Sequence, residues 1–208
     1  MRNCQICGES DRRLIMASYD GKNMSLFECD GCKHRYVDSA QLSQAWFDQY
    51  YFNEYKTTDT PYSTERYTAL AEFVKAHVNE AIDVGGKNGE LHEYFNDFRY
   101  QAVGVGDELG TDHECVILSH TLEHVYDIET LIKRIRKALR RDGLLVVEVP
   151  VHIVYQAPTE YDYHWQHINK FRPMDLMELL VKFQYSIVEF CKLPDYREYQ
   201  CWRIAGRL

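Results

Sequence analysis

Cys4, Cys7, Cys29 and Cys32 stand as two C-x2-C pairs separated by 21 residues. A C-x2-C turn aims two thiolates at one point. Two such turns offer four sulfurs to a tetrahedral ion, the spacing of a zinc ribbon or related treble-clef-like knuckle. Gly8 and Gly31 lie in these turns, where glycine relieves crowding as backbone approaches the sulfurs. Four sulfurs leave no open position for water, so the predicted site is structural rather than catalytic. The alternative is two redox or core cysteine pairs. His34 reads as a neighbour, because Cys32 already completes its pair. The other cysteines, Cys115, Cys191 and Cys201, are scattered among apolar residues.

His113, His120, His124, His152, His164 and His167 are six of the nine histidines. His120, Glu123 and His124 follow the H-x-x-E-H order of an inverted zinc-protease motif. That mechanism needs both histidines on one helix face, with the acid as base. Here Val116–Ser119 reads as a strand and His120–Val125 as the loop after it, so the helical context is missing. In such a loop Glu123, His124 and His167 can serve as acid, base or metal ligands. His120, His152 and His164 read better as solvated or packing residues. Tyr161, Tyr163 and Trp165 can stack on a sugar or a base, or pack as a lid.

A third group is Ile82-Asp83-Val84-Gly85-Gly86-Lys87-Asn88-Gly89. A strand running into a glycine turn lets backbone pass close to a ligand. Asp83, at the strand end, can hold an ammonium group or orient the turn. Gly85, Gly86 and Gly89 leave room for a nucleoside. The same pattern also suits a tight strand-to-helix turn with no ligand.

These groups need elements to carry them. Arg13–Ser18 and Met24–Glu28 read as short strands around Asp20-Gly21, a hairpin signal. Residues 39–80 are polar and aromatic, with Tyr50-Tyr51-Phe52 and Tyr55 early, a break at Thr57–Ser63, and an amphipathic helix over Tyr67–Val78. From Ala81 onward, strand and helix alternate. Strands are expected at Ala81–Val84, Gln101–Val105, Cys115–Leu118, Leu144–Val149, Tyr185–Phe190 and Cys201–Ala205. Helices are expected from Gly89 through Phe95, over Ile128–Leu139 and over Met174–Phe183. Alternation of this kind implies an α/β fold with an open, mainly parallel sheet, whose ligands sit beyond the C-terminal strand ends.

Composition sets the outer limits. The chain has 208 residues, 45% hydrophobic and 27% charged, with a formal charge of −8. That excludes a disordered or collagenous chain and disfavours a nucleic-acid partner, which calls for a basic face. The densest basic run, Lys133–Arg141, reads as the solvated face of a helix. No apolar stretch reaches 18 residues, and Met1–Cys4 lacks the apolar core of a secretory signal, so a cytoplasmic location without membrane contact is expected. Reduced thiols or metal ligands suit that compartment.

The glycine turn resembles the first motif of class I S-adenosylmethionine-dependent methyltransferases. His120-Thr121-Leu122-Glu123-His124-Val125, the following helix, Asp142-Gly143 and Leu144–Pro150 are similar to their later strand-helix-strand stretch. His167-Ile168-Asn169-Lys170-Phe171 resembles a segment in the branch acting on sugars and small metabolites, some of whose members carry an N-terminal four-cysteine zinc module. The resemblance covers roughly residues 81–206 plus the cysteine module. It implies a shortened Rossmann-like fold, with a zinc module over 1–38, a helical linker or lid over 39–80 and a methyltransferase-like domain over 81–208. It further implies structural zinc on the four cysteines and S-adenosylmethionine over Asp83, Gly85, Gly86, Gly89 and Asp107. Methyl transfer to a small molecule, a sugar or sugar-like metabolite, would then use Glu123, His124 and His167, with His124 or His167 as base.

Three positions depart from the family. Lys87 stands where a further glycine is usual. The acid expected at the end of the second strand falls on Gly106, so that Asp107 or Glu108 must substitute through a shifted turn. Only ten residues separate Val105 from Val116, where the family fits a helix and a strand with an adenine contact; Asp112 is a poor stand-in. These departures keep a second reading open. In it, a degenerate domain has lost the cofactor and binds a partner, or runs another reaction through its histidines and a metal.

Overall fold

A computed structural model of the protein describes residues 3–16, 24–38, 61–86, 89–151, 167–194 and 200–208. The elements in chain order are β1 (Arg12–Met16), β2 (Ser25–Cys29), β3 (Arg35–Asp38), α1 (Pro61–His77), β4 (Glu80–Val84), β5 (Arg99–Val103) and β6 (His113–Ser119). They continue as α2 (Ile128–Ala138), β7 (Leu139–Val151), β8 (Asn169–Lys170), α3 (Pro173–Lys182), β9 (Ser186–Lys192) and β10 (Gln200–Arg207).

The runs Ala81–Val84, Cys115–Leu118 and Leu144–Val149 are apolar without alternation, the pattern of strands buried on both faces. They form the centre of a six-stranded sheet in the order β5-β4-β6-β7-β10-β9. β5, β4, β6 and β7 are mutually parallel, whereas β10 runs antiparallel to both β7 and β9. Val116 and Leu118 of β6, with Leu145, Val147 and Val149 of β7, join the core under α2 and α3. Cys115, Ile117, Leu144 and Val146 face the opposite core under α1. This is the Rossmann-like architecture expected, with helices covering both faces.

The helices follow from their apolar stripes. α1 buries Tyr67, Leu70, Ala71 and Val74 at helical spacing. It begins at Pro61, so residues 61–63 of the expected break are helical, in keeping with proline at a first helical position. α2 buries Ile128, Leu131, Ile132, Ile135 and Ala138, and the Asp127 carboxylate accepts the Thr130 N–H at 3.0 Å as its N-cap. The helix expected after Gly89 is only a short 3-10 turn, His92–Phe95. The basic run is not merely solvated. Arg134 donates to the carbonyls of Val105 and Asp107, Arg136 donates to Phe183 O, and Arg140 pairs with Glu114 at 2.8 Å.

Nine residues of loop, 104–112, join β5 directly to β6, so no helix or strand intervenes there. β5 is therefore the edge of the sheet among the described residues. The shortening read from the sequence is real at this point.

The N-terminal strands build a second sheet, β1-β2-β3-β8, antiparallel throughout. Its last strand comes from the far end of the chain: Arg35 pairs with Lys170 and Tyr36 with Asn169. Cys4, Ile6, Cys29 and Tyr36 belong to the same core as α2 and α3. The β1–β2 pairing agrees with the expected hairpin, while its turn at Asp20-Gly21 lies outside the described residues, as do Tyr50, Tyr51, Phe52 and Tyr55.

Candidate functional site

Each cysteine pair is held by the same backbone device. The Gly8 N–H donates to Cys4 O at 2.8 Å, and the Lys33 N–H donates to Cys29 O at 3.0 Å. Both closing residues are left-handed, Gly8 at φ 83° and Lys33 at φ 64°. The strained position of the second turn is thus Lys33. Gly31 is not left-handed, and a Cβ there would find ordinary room. The four sulfurs lie within 4.8 Å of one another, with Cys4–Cys32 at 3.6 Å and Cys7–Cys29 at 3.5 Å. These separations exceed a disulfide bond of about 2.05 Å. They match the roughly 3.8 Å between sulfurs of a tetrahedral zinc site with bonds of about 2.3 Å. The adjacent Cys4 sulfur and then burial push the Cys32 thiol up, a penalty that a bound cation removes. His34 is elsewhere engaged, its Nδ1 3.0 Å from the buried Asp175 carboxylate.

The glycine turn leaves the C-terminal end of β4. Gly85 is left-handed at φ 100°, and its N–H donates to Val103 O at 2.8 Å. A Cβ on Gly85 would stand 2.3 Å from Thr121 Oγ1, and one on Gly86 would stand 1.9 Å from Asp83 Oδ2. Glycine is required at both points. Asp83 is 1% exposed and lies beneath the turn. Its Oδ2 accepts the Tyr100 hydroxyl at 2.6 Å, while Oδ1 has no hydrogen-bond partner among the described residues. Burial raises its pKa to about 7, against the opposing pull of the Tyr100 hydroxyl. Gly89 is left-handed at φ 75°. Lys87 and Asn88 lie outside the described residues. Asp107 is in the loop after β5, where its carboxylate accepts the Gly104 N–H at 2.8 Å.

The histidine loop leaves the C-terminal end of β6, the strand beside β4. Thr121 packs on Gly85, so the two loops adjoin. Leu122–His124 form one 3-10 turn and not a longer helix. Glu123 is fully buried. Its Oε1 lies 3.6 Å from His120 Nδ1 and 3.7 Å from His124 Nε2, and burial raises its pKa to about 8. His167 arrives just ahead of β8, its ring edge-on to His124 with centroids 5.0 Å apart. One ligand atom from each of Glu123, His124 and His167 falls within a 4.8 Å group. His113 is separate, at the other end of β6, bonded to Leu109 O. His152, His164, Tyr161, Tyr163 and Trp165 lie outside the described residues.

Several residues around the loops carry no motif. Asn169 donates its side-chain amide to Val125 O at 2.7 Å and Leu122 O at 3.3 Å, bracketing Glu123 and His124. Buried Glu148 on β7 takes Arg66 from α1 at 2.8 Å and Arg203 from β10 at 2.8 Å. Arg66 also donates to Ser119 Oγ at 2.7 Å. A charge inside an apolar strand was the available signal for Glu148 and Arg203, because a buried acid must find cations. Asn169 lies inside the His167–Phe171 segment, whose sequence does not say what its amide holds, and nothing in one sequence pointed to Tyr100.

Residues 59–189 match a family model described as "Methyltransferase domain". No curated protein matches the sequence. Among solved structures, the protein is similar to the 1,6-didemethyltoxoflavin-N1-methyltransferase of Burkholderia thailandensis, solved with bound 1,6-didemethyltoxoflavin and S-adenosylhomocysteine. The TM-score is 0.62 at 15% identity, over 86% of this chain and 96% of that one. It is also similar to the magnesium protoporphyrin IX methyltransferase of Synechocystis PCC 6803 with bound SAM, at TM-score 0.56 and 12% identity, over 82% and 99% of the two chains. A third likeness is a putative O-methyltransferase of Nostoc punctiforme, at TM-score 0.56 and 13% identity, over 71% and 57%. These likenesses concern the fold. The family match spans more than half of the chain, and with it the glycine turn, the histidine loop and the parallel strands β4 to β7 that bring them together; the protein belongs to the methyltransferase-domain family.

Proposed function

We propose that the protein transfers a methyl group from S-adenosylmethionine to a small metabolite, a sugar or sugar-like acceptor, and carries a structural zinc ion on Cys4, Cys7, Cys29 and Cys32. The observation that carries this reading is the junction of Gly85 with Thr121, which sets the glycine turn beside a histidine-bearing loop at the C-terminal strand ends. Two similar structures were solved with S-adenosylhomocysteine or SAM. The sugar preference rests on the resemblance of His167–Phe171 to the sugar-acting branch.

Bound S-adenosylmethionine supplies an electrophilic methyl group on sulfur. The residues of the protein do the rest. Gly85, Gly86 and Gly89 admit the cofactor backbone. Asp83 sets a negative charge for the ammonium group, and Asp107, in the loop after β5, is the acid assigned to the ribose hydroxyls. Glu123, His124 and His167 hold the acceptor, and His124 or His167 would take its proton as the acceptor oxygen displaces sulfur from the methyl carbon, S-adenosylhomocysteine being the leaving group. Residues 1–38 are read as the zinc module and 81–208 as the catalytic domain; of the expected linker or lid over 39–80, residues 61–77 are α1, packed on the sheet, and residues 39–60 lie outside the described residues. The location proposed is cytoplasmic; no described helix is long and apolar enough to cross a membrane.

One observation favours a second reading. Among the described residues the sheet ends at β5, without the wall that the family resemblance places over adenine. A domain so trimmed can have lost the cofactor and bind a partner instead. The deciding experiment incubates zinc-loaded protein with methyl-labelled S-adenosylmethionine and a panel of sugars and nucleotide sugars. The expected result is label in one acceptor class, reduced about 10²–10⁴-fold in His124→Ala or His167→Ala. No label in any acceptor, with no cofactor bound, favours the second reading.

A further inference from the structure

The cysteine cluster is not the only group of donors in the molecule. Glu123 is a buried carboxylate whose two oxygens have no hydrogen-bond partner among the described residues. Buried polar oxygens left without a partner cost about 1–3 kcal/mol each. The closest basic groups do not satisfy Glu123. Its Oε1 stands 3.6 Å from His120 Nδ1 and 3.7 Å from His124 Nε2, beyond the roughly 3.2 Å of a good hydrogen bond. Arg66 is committed to Glu148 at 2.8 Å and Ser119 at 2.7 Å.

Those long separations have another meaning. Two nitrogen or oxygen ligands on one tetrahedral zinc ion, with bonds of about 2.1 Å, lie roughly 3.4 Å apart. Glu123, His124 and His167 each bring one ligand atom into a group spanning no more than 4.8 Å. Two histidines and one carboxylate are the ligand set of catalytic zinc sites that keep a position open, and of other divalent sites with nitrogen and oxygen donors. Asn169 holds the Leu122 and Val125 carbonyls on either side of Glu123 and His124, which fixes the pair before any ion arrives.

We infer that Glu123, His124 and His167 bind a divalent cation, distinct from the cysteine-bound one, and that its open position takes an oxygen of the acceptor. The cation binding stands by itself; the acceptor's part rests on the methyltransferase reading. The dication meets the two orphaned oxygens of Glu123. An acceptor hydroxyl bound to it ionises more readily. With the cation bound, the O–H bond breaks with the proton passing to water, and the oxygen bonds to the methyl carbon as the methyl–sulfur bond breaks; both histidines are then ligands, and this route replaces the histidine base of the cation-free site.

Zinc-loaded protein, saturated at the four cysteines, is titrated with Co²⁺ by calorimetry and visible absorption. The expected result is one Co²⁺ per chain with weak nitrogen–oxygen-type bands and no intense thiolate charge-transfer band. Glu123→Gln and His167→Ala are each expected to weaken uptake at least tenfold with unchanged circular dichroism. Glu123→Gln keeps the shape and removes only the orphaned charge, so the comparison does not depend on refolding a cavity. No Co²⁺ uptake, uptake in the two variants equal to that of the unaltered protein, or thiolate bands accompanying it would overturn the site. S-adenosylhomocysteine is titrated into the same samples. Co²⁺ uptake without binding of that compound leaves the cation site standing and removes the methyltransferase reading; the converse removes only the cation site.

Discussion

Gly86 and Asp83 occupy each other's space. A methyl group on residue 86 would enter the carboxylate at 1.9 Å, and the carboxylate is fixed from the other side by Tyr100. Gly86→Ala is therefore expected to cost about 1–3 kcal/mol, the usual range for overpacking, and to abolish cofactor binding. Thermal melts and calorimetry with S-adenosylhomocysteine measure the two effects. Asp83 also sets a pH dependence. Its pKa, about 7 in the fold, lies above the ordinary value near 3.9. The stability it contributes is complete below about pH 4 and is lost as pH rises through 7, a difference of roughly 4 kcal/mol in the free protein. A ligand ammonium beside it favours the ionised form. Binding of S-adenosylhomocysteine should therefore tighten from pH 6 to pH 7.5, with proton release on binding, and calorimetry in buffers of different ionisation enthalpy reads that release. A flat profile with no proton release would remove Asp83 from the cofactor site. At this scale the sequence was informative where chemistry restricts residue type: cysteine pairs, glycines at a turn, an acid at a strand end. It was silent on Lys33 and His120, whose left-handed conformations at φ 64° and 50° are imposed by the surrounding turns.

Elements reach the site through one short strand. β8 has only two residues, too few to show any period, and its partner β3 lies more than 130 residues away in the sequence. Neither feature is legible in one chain. Yet β8 ties the cysteine module to the loop after β6: its backbone pairs with β3, and the Asn169 side chain holds Leu122 O and Val125 O. Asn169→Ala leaves those two carbonyls without this donor. The expected loss is about 1–3 kcal/mol, or roughly 2–12 °C in melting temperature. Because β3 carries the connection, Cys29→Ser should lower the stability of the catalytic domain as well as release zinc. Metal analysis and hydrogen exchange over residues 120–126 test this; zinc loss with unchanged protection there would contradict the coupling. The long helices and central strands were legible because burial repeats along them. The exception was the turn at His92–Phe95, where helical residue types occupy a segment too short to propagate a helix.

The molecule as a whole is a methyltransferase-family sheet cut short on one side. The loop 104–112 leaves β5 at the edge, and the chain length between Val105 and Val116 already required that. No strand beyond β5 is available among the described residues to contact the adenine amine. Replacing that amine by an oxygen, as in the inosine analogue of S-adenosylhomocysteine, should therefore change the dissociation constant by less than about threefold, or under ~0.7 kcal/mol. Removing the ammonium group should matter far more. The formal charge of −8 and the use of Arg134, Arg136 and Arg140 inside the fold leave the basic run poorly placed for a polyanion. The most direct test of the account is calorimetric titration of pure, zinc-loaded protein with S-adenosylhomocysteine at pH 7.5. The account predicts saturable binding of one molecule per chain, lost in Gly86→Ala. Absence of heat and of any thermal stabilisation at millimolar ligand would contradict it.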